Sequence, residues 1–137
     1  MRVTLGFDTS CYTTSAAAVD EHGAVVAAER MLLPVREGQR GLRQSEAVFA
    51  HVRQMPQVME ALSRRLAGVQ VGAVCASARP RDGEDSYMPV FTVGLAAVDA
   101  PEGTAAARLT ITLSVNDWEE DYTVEGERQG AVWLFTL

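Results

Sequence analysis

Val3, Leu5 and Phe7 alternate with Thr4, Gly6 and Asp8, the period-two pattern of a strand with two unlike faces. Thr14 to Val19 and Ala24 to Met31 give two further extended runs. Asp20-Glu21-His22-Gly23 joins them, with Gly23 able to take the positive φ of a hairpin turn, so the chain opens as three consecutive antiparallel strands. Pro34 to Gln44 reads as a loop, after which Ser45 can cap a helix that has Glu46 in its first turn. Val48, Val52, Met55, Met59, Leu62 and Leu66 follow 4-3-4-3-4 spacing and predict one narrow apolar stripe. Pro56 falls inside that run, which predicts a kink or break near Gln54 to Met55.

Gly68 closes the helix, Val69 to Ala78 reads as a buried strand and Arg79 to Ser86 as a polar loop. Pro89 suits a first helical position, Val90 to Val98 a short helix ended by Asp99 to Gly103, and Arg108 to Val115 a fifth alternating strand. The expected fold class is α/β, with the order strand-strand-strand-helix-strand-helix-strand and a mixed five-stranded sheet. That order matches the ribonuclease-H-like half-domain shared by actin-like and sugar-kinase-like folds, in which the hairpin loop after the first strand commonly faces a nucleotide phosphate. Residues 1–115 form this expected unit. Residues 116–137 fit less well: Asn116 to Gly130 is acidic and turn-like, and Ala131 to Leu137 is an apolar end.

The 137 residues suit a folded domain, with 47% hydrophobic and 22% charged positions. No apolar run approaches the roughly 18–20 residues of a membrane span, and no signal-peptide core follows Met1, so a cytoplasmic protein without membrane contact is expected. Cys11 and Cys75 are too few for a disulfide framework. The net charge is −6, and residues 101–137 carry 2 Arg against 7 acidic residues. Such a chain is a poor autonomous nucleic-acid binder, because phosphate-backbone affinity comes mainly from cationic contacts. Arg36, Arg40 and Arg43 form too weak a patch to reverse this.

The candidate chemistry lies in the hydroxyl-rich stretch after the first strand. Asp8, Thr9, Ser10, Thr13, Thr14 and Ser15 could present hydroxyls and backbone N–H groups to a phosphate, with Asp8 reaching a metal-bound water. The same residues equally suit a polar hairpin that satisfies its own backbone. His51 beside the Val48/Val52 stripe reads as a boundary residue packing its ring, and Cys11 has no neighbouring base. Neither is assigned as catalytic.

The stretch "LGFDTSCYTTSAAAVD" resembles the opening of the TsaD/Gcp family, the tRNA threonylcarbamoyl-adenosine modification transferases once called O-sialoglycoprotein endopeptidases or glycoproteases. "LLPVREGQRGLRQSEAVFAHVRQMPQVMEAL" and "SARPRDGEDSYMPVFTVGLA" resemble segments of a Gcp-like paralogue group, so the similarity covers roughly residues 3–98. The resemblance implies an actin-like fold of two halves with a divalent metal and nucleotide between them, and transfer of threonylcarbamoyl to a tRNA adenosine. It also implies pairing through helices of this half, as a homodimer or with a TsaD-like relative, and contact with tRNA only indirectly.

The departures limit what carries over. The family's His-x-x-x-His metal pair has no counterpart, since His22 and His51 stand far apart, and no metal ligand is assigned. The second half is not matched. A chain that does not catalyse transfer alone is therefore expected, with a non-enzymatic dimerisation or interaction module as the alternative. Two accounts of residues 116–137 stay open: the end of a truncated or frame-shifted gene, or the tail of a short paralogue that covers the exposed sheet. Glycoprotease and kinase activities are set aside, the first for want of a His-Glu-x-x-His pair and the second for want of a nucleotide clamp and acceptor site.

Overall fold

A computed structural model describes residues 1–83, 85–99, 106–115, 118–129 and 132–136. Its elements are β1 (Arg2–Asp8), β2 (Thr13–Asp20), β3 (Val25–Leu32), α1 (Gln44–Arg65), β4 (Gln70–Ser77), α2 (Phe91–Ala97), β5 (Ala106–Val115), β6 (Trp118–Gln129) and β7 (Val132–Thr136). The architecture is α/β with a mixed sheet. β1, β2 and β3 are antiparallel neighbours, and β4 lies parallel to β1 on its other side.

The β2–β3 hairpin forms at the expected turn. Gly23 adopts φ 82°, and Asp20 Oδ1 accepts hydrogen bonds from the His22 and Ala24 N–H groups, each 2.9 Å. These bonds, the one from Ala24 first, lower the Asp20 pKa below its ordinary value.

Alternation on β1 sends Val3, Leu5 and Phe7 into a core shared with Ala16 and Ala18 of β2, Val74 and Ala76 of β4, Met55, Val58 and Leu62 of α1, and Val93 and Leu95 of α2. Both helices thus cover one sheet face. Arg65 ties the C-terminal turn of α1 to the sheet by donating to the Ala28 carbonyl and to Glu29 Oε1, each at 2.9 Å. A register shift between β1 and β4 at Val3/Thr4 leaves Gly72 unpaired, which keeps both Val71 and Val74 in the core.

Helix α1 differs from expectation in three ways. It starts one residue before Ser45, with Arg43 at the N-cap, whose N–H donates to Glu46 Oε2 at 3.0 Å. Glu46 thus satisfies the N–H of the N-cap residue, and Ser45, inside the first turn, is not the cap. The helix also runs unbroken through Pro56. Pro56 and Val52 are both exposed, so water can satisfy the Val52 carbonyl that the proline leaves without its helical donor. Finally, the buried face follows Ala47, Ala50, His51, Gln54, Met55, Val58 and Leu62, while Val52 is 54% exposed. Two polar residues are drawn inward because the sheet supplies their hydrogen-bond partners, as described below.

The acidic stretch expected to be turn-like is strand: β6 spans 118–129 and β7 spans 132–136. Among the described residues the sheet has seven strands in the order β3-β2-β1-β4-β7-β6-β5, where the pattern predicts five. β7 pairs antiparallel with β4, Ala73 opposite Thr136 and Ser77 opposite Val132, and β5 reaches the sheet only through β6. The acidic composition of 116–130 reads as turn-like, yet ladder pairing of residues 118–129 with β5 and β7 overrides that local preference, while 116, 117 and 130 lie outside the described residues.

Leu62 is 2% exposed at the centre of the helix-sheet contact. Leu62→Ala should lower unfolding free energy by about 2–5 kcal/mol, read as a shift of the urea midpoint with unchanged slope.

Candidate functional site

β1 and β4 run parallel side by side, so their carboxyl ends open together at Asp8 and Ser77. Ser77 Oγ donates to Asp8 Oδ1 at 2.6 Å, and the Ser10 N–H donates to the same oxygen at 3.0 Å. Ser15 Oγ donates to the Asp8 carbonyl at 3.3 Å. On the sheet face opposite the helices, Asp8, Ser15 and Ser77 border a shallow groove of about 630 Å³ floored by Gly6, Ala17, Ala28 and Cys75. Burial pushes the Cys75 thiol above its ordinary pKa, so it stays protonated at neutral pH and is a poor nucleophile.

The six residues of the opening turn do not act as one group. Asp8 is exposed, and Ser10, Thr13 and Ser15 are half-buried. Thr9 and Thr14 point into the protein and are fully buried. Thr9 Oγ1 donates to the Val90 carbonyl at 2.7 Å and accepts from the Gly94 N–H at 3.1 Å, pinning the end of β1 to α2. A Cβ at position 94 would lie 3.3 Å from that hydroxyl, so glycine there permits the approach. Strand alternation explains the division, since Thr14 follows Ala16 and Ala18 onto the helix-facing side while Thr13 and Ser15 face the other way.

Thr14 meets a polar cluster in the core. His51 Nε2 lies 2.8 Å from the Cys11 carbonyl, which can only accept, so Nε2 carries the proton. Nδ1 lies 2.7 Å from Thr14 Oγ1, Thr14 Oγ1 lies 3.0 Å from Gln54 Oε1, and Gln54 Nε2 donates to the Leu32 carbonyl at 2.9 Å. His51 is fully buried, not the boundary residue its position beside Val48 and Val52 suggests. Desolvation lowers its pKa below 6.5, opposed by the Cys11 carbonyl and by the charge of Asp8. With both ring nitrogens engaged, His51 is not a free general base for the turn or for the exposed Cys11. The spacing of His51 and Gln54, three apart with Ala47 and Ala50 behind them, was the available signal for this face.

Tyr12 completes the anchoring of the turn. Its carbonyl accepts from the Leu33 N–H at 2.8 Å, and its hydroxyl accepts from the Leu42 N–H at 3.4 Å. Arg36 and Arg40 are exposed in the 34–43 loop, apart from the Asp8 groove, and Arg36 instead borders a second hollow of about 510 Å³ between that loop and α1. Phe49 and Arg53 line that hollow, with the guanidinium 5.8 Å from the ring centroid.

The residues present do not fit the divalent metal of the TsaD/Gcp resemblance: among the described residues, no three His, Cys, Asp or Glu side chains converge. His22 is exposed on the β2–β3 turn beside Glu21. Among the described residues, no helix is long and apolar enough to cross a membrane.

No family model matches the chain, and no curated protein matches it. Among solved structures, YeaZ from Pseudomonas aeruginosa is similar over 100% of this chain, at 16% sequence identity and a TM-score of 0.46. The chain spans 65% of the length of that protein.

Thr9→Val should remove the Thr9 hydroxyl that links the Val90 carbonyl and the Gly94 N–H to β1 and lower stability by about 1–3 kcal/mol, measured by urea denaturation. Between the folded pKa of His51 and 6.5 the unfolded chain binds more protons than the folded one. That contribution to stability is present above pH 6.5 and is lost as pH falls below it. His51→Gln should flatten this segment of the pH profile, read from denaturation midpoints between pH 4.5 and 7.5.

Proposed function

We propose that this chain is a ribonuclease-H-like half-domain of the tRNA threonylcarbamoyl-adenosine modification system, that it takes a phosphate-bearing ligand weakly at the carboxyl ends of β1 and β4, and that it works with a partner rather than transferring the group itself. The observation that carries this reading is the Asp8–Ser77 hydrogen bond across two parallel neighbours, at the edge of an open groove and beside the hydroxyl-rich turn. Ligands of open α/β sheets bind outside the carboxyl ends of the strands. The β3-β2-β1-β4 order, with α1 leading into β4, is the order expected of such a half-domain, and the TsaD/Gcp-like opening stretch gives the system. Cytoplasmic residence belongs to the same proposal.

The groove suits retention of a ligand better than chemistry upon it. Asp8 faces solvent, its carboxylate repels a bare phosphate, and a nucleotide brings the compensating cation as its magnesium complex. Ser10, Thr13 and Ser15 remain as the hydroxyls of the proposed contact, because Thr9 and Thr14 are used within the fold.

A second reading, an interaction module, draws on the outer face of α1. Phe49 and Val52 are 63% and 54% exposed one helical turn apart, and both lie off the buried face. A TsaD-like relative or a second copy would cover them.

Isothermal titration with magnesium-ATP, run beside sedimentation, tests the first reading. Weak binding is expected, absent for ATP without magnesium and about tenfold weaker in Asp8→Ala, the scale of one lost charge-assisted contact. No heat from the folded protein at millimolar magnesium-ATP overturns the phosphate reading. Co-elution with a TsaD-type relative that does not depend on nucleotide, and is lost in Phe49→Ala, supports the interaction module.

A further inference from the structure

The buried chain from Cys11 to Leu32 contains four short contacts: Cys11 carbonyl to His51 Nε2, His51 Nδ1 to Thr14 Oγ1, Thr14 Oγ1 to Gln54 Oε1, and Gln54 Nε2 to the Leu32 carbonyl. Each contact needs one proton between its heavy atoms. The two end carbonyls can only accept, so the Nε2–H of His51 and one N–H of Gln54 are committed to them. The two central contacts must then share the single hydroxyl proton of Thr14. Reversing the Gln54 amide does not help, because it supplies a donor to Thr14 while setting Oε1 against the Leu32 carbonyl, two acceptors 2.9 Å apart. With a neutral imidazole the chain is one proton short in either arrangement.

We propose that this chain is a proton-binding site: uptake of one proton at His51 Nδ1 completes all four hydrogen bonds and locks the Cys11 turn to the end of β3. Nδ1–H then donates to Thr14, and the Thr14 hydroxyl donates to Gln54. In the neutral state the Thr14 proton alternates between His51 and Gln54, so one tether is always opposed by a lone-pair contact. Burial disfavours the charged ring, and the completed chain offsets part of that cost, which places the transition on the acidic side of neutrality.

The charged surroundings favour this assignment. Asp8 of β1 is the charged group that acts on His51, and it favours the imidazolium. β2 from Thr13 to Val19 and α2 carry no charged residue. On β3, Glu29 is paired with Arg65, and Arg30 lines the groove on the opposite sheet face. Glu46 and Arg53 of α1 are exposed, as are the titratable side chains of Cys11 and Tyr12 on the turn. The device does not depend on what the Asp8 groove binds.

Nitrogen-15 NMR of the intact, ring-labelled protein tests it. At pH 7.5 the expected tautomer of His51 has its proton on Nε2, and on acidification the amide resonances of Cys11, Tyr12 and Leu33 follow the same titration as the ring. Thr14→Val removes the acceptor for Nδ1–H, so proton binding should weaken about tenfold, the difference between a charge-assisted and a neutral hydrogen bond. Gln54→Met removes the competing acceptor for the Thr14 proton and should weaken proton binding in the same direction, which keeps the test available if one variant does not fold. A proton on Nδ1 at pH 7.5, a ring that stays neutral down to pH 4.5 in the folded protein, or equal proton affinity in wild type and a folded variant overturns the proposal.

Discussion

The Thr9–Tyr12 turn must change direction at the top of the sheet while its buried polar atoms find partners, and the arrangement around it follows from that requirement. An unpaired buried polar group costs about 1–3 kcal/mol, so each inward hydroxyl or carbonyl of this turn recruits an element. Thr9 brings in α2 through Val90 and Gly94. The Cys11 carbonyl and Thr14 bring in α1 through His51 and Gln54, and the Gln54 amide reaches across to the end of β3. One hairpin thereby joins both helices and three strands.

The same anchoring fixes what the turn can offer on its outer side. With Thr9 and Thr14 committed inward, Asp8 and Ser15 are left to line the groove, and the Asp8–Ser77 bond sets the geometry at the carboxyl ends of β1 and β4. The groove's small-residue floor follows from strand alternation: the large apolar side chains of β1 and β4 face the helices, leaving Gly6, Ala17, Ala28 and Cys75 on the other face. The Cys75 thiol on that floor is held protonated by burial, and both nitrogens of the His51 ring are engaged. A histidine three residues along the chain from a turn-binding glutamine is here an anchor of the fold with its own proton chemistry.

Much of the chain was legible from its pattern. The alternation of β1 through β3, the Gly23 turn, the crossover helix, β4 and the short second helix all rest on local rules, namely period two against period 3.6 and turn residues at fixed offsets, and they stand in the structure within a residue or two. Asp8 was legible as the acid that ends an alternating strand, and the structure shows it exposed there. The face of α1 was not, since apolar spacing pointed to Val48 and Val52, and only the position of β2 made burial of His51 and Gln54 tolerable.

Sequence by itself determined the strand-rich opening, the amphipathic helix and the hydroxyl-rich turn, because each depends on residues near one another in the chain. Tertiary structure alone decided which hydroxyls look inward, since Thr13 and Thr14 are alike until a strand face is packed against a helix. It also decided that 118–129 is strand, because ladder partners on β5 and β7 supply what its acidic composition does not. And it decided the role of His51, whose partners Cys11 and Thr14 stand 40 and 37 positions away and are brought to it only by the fold.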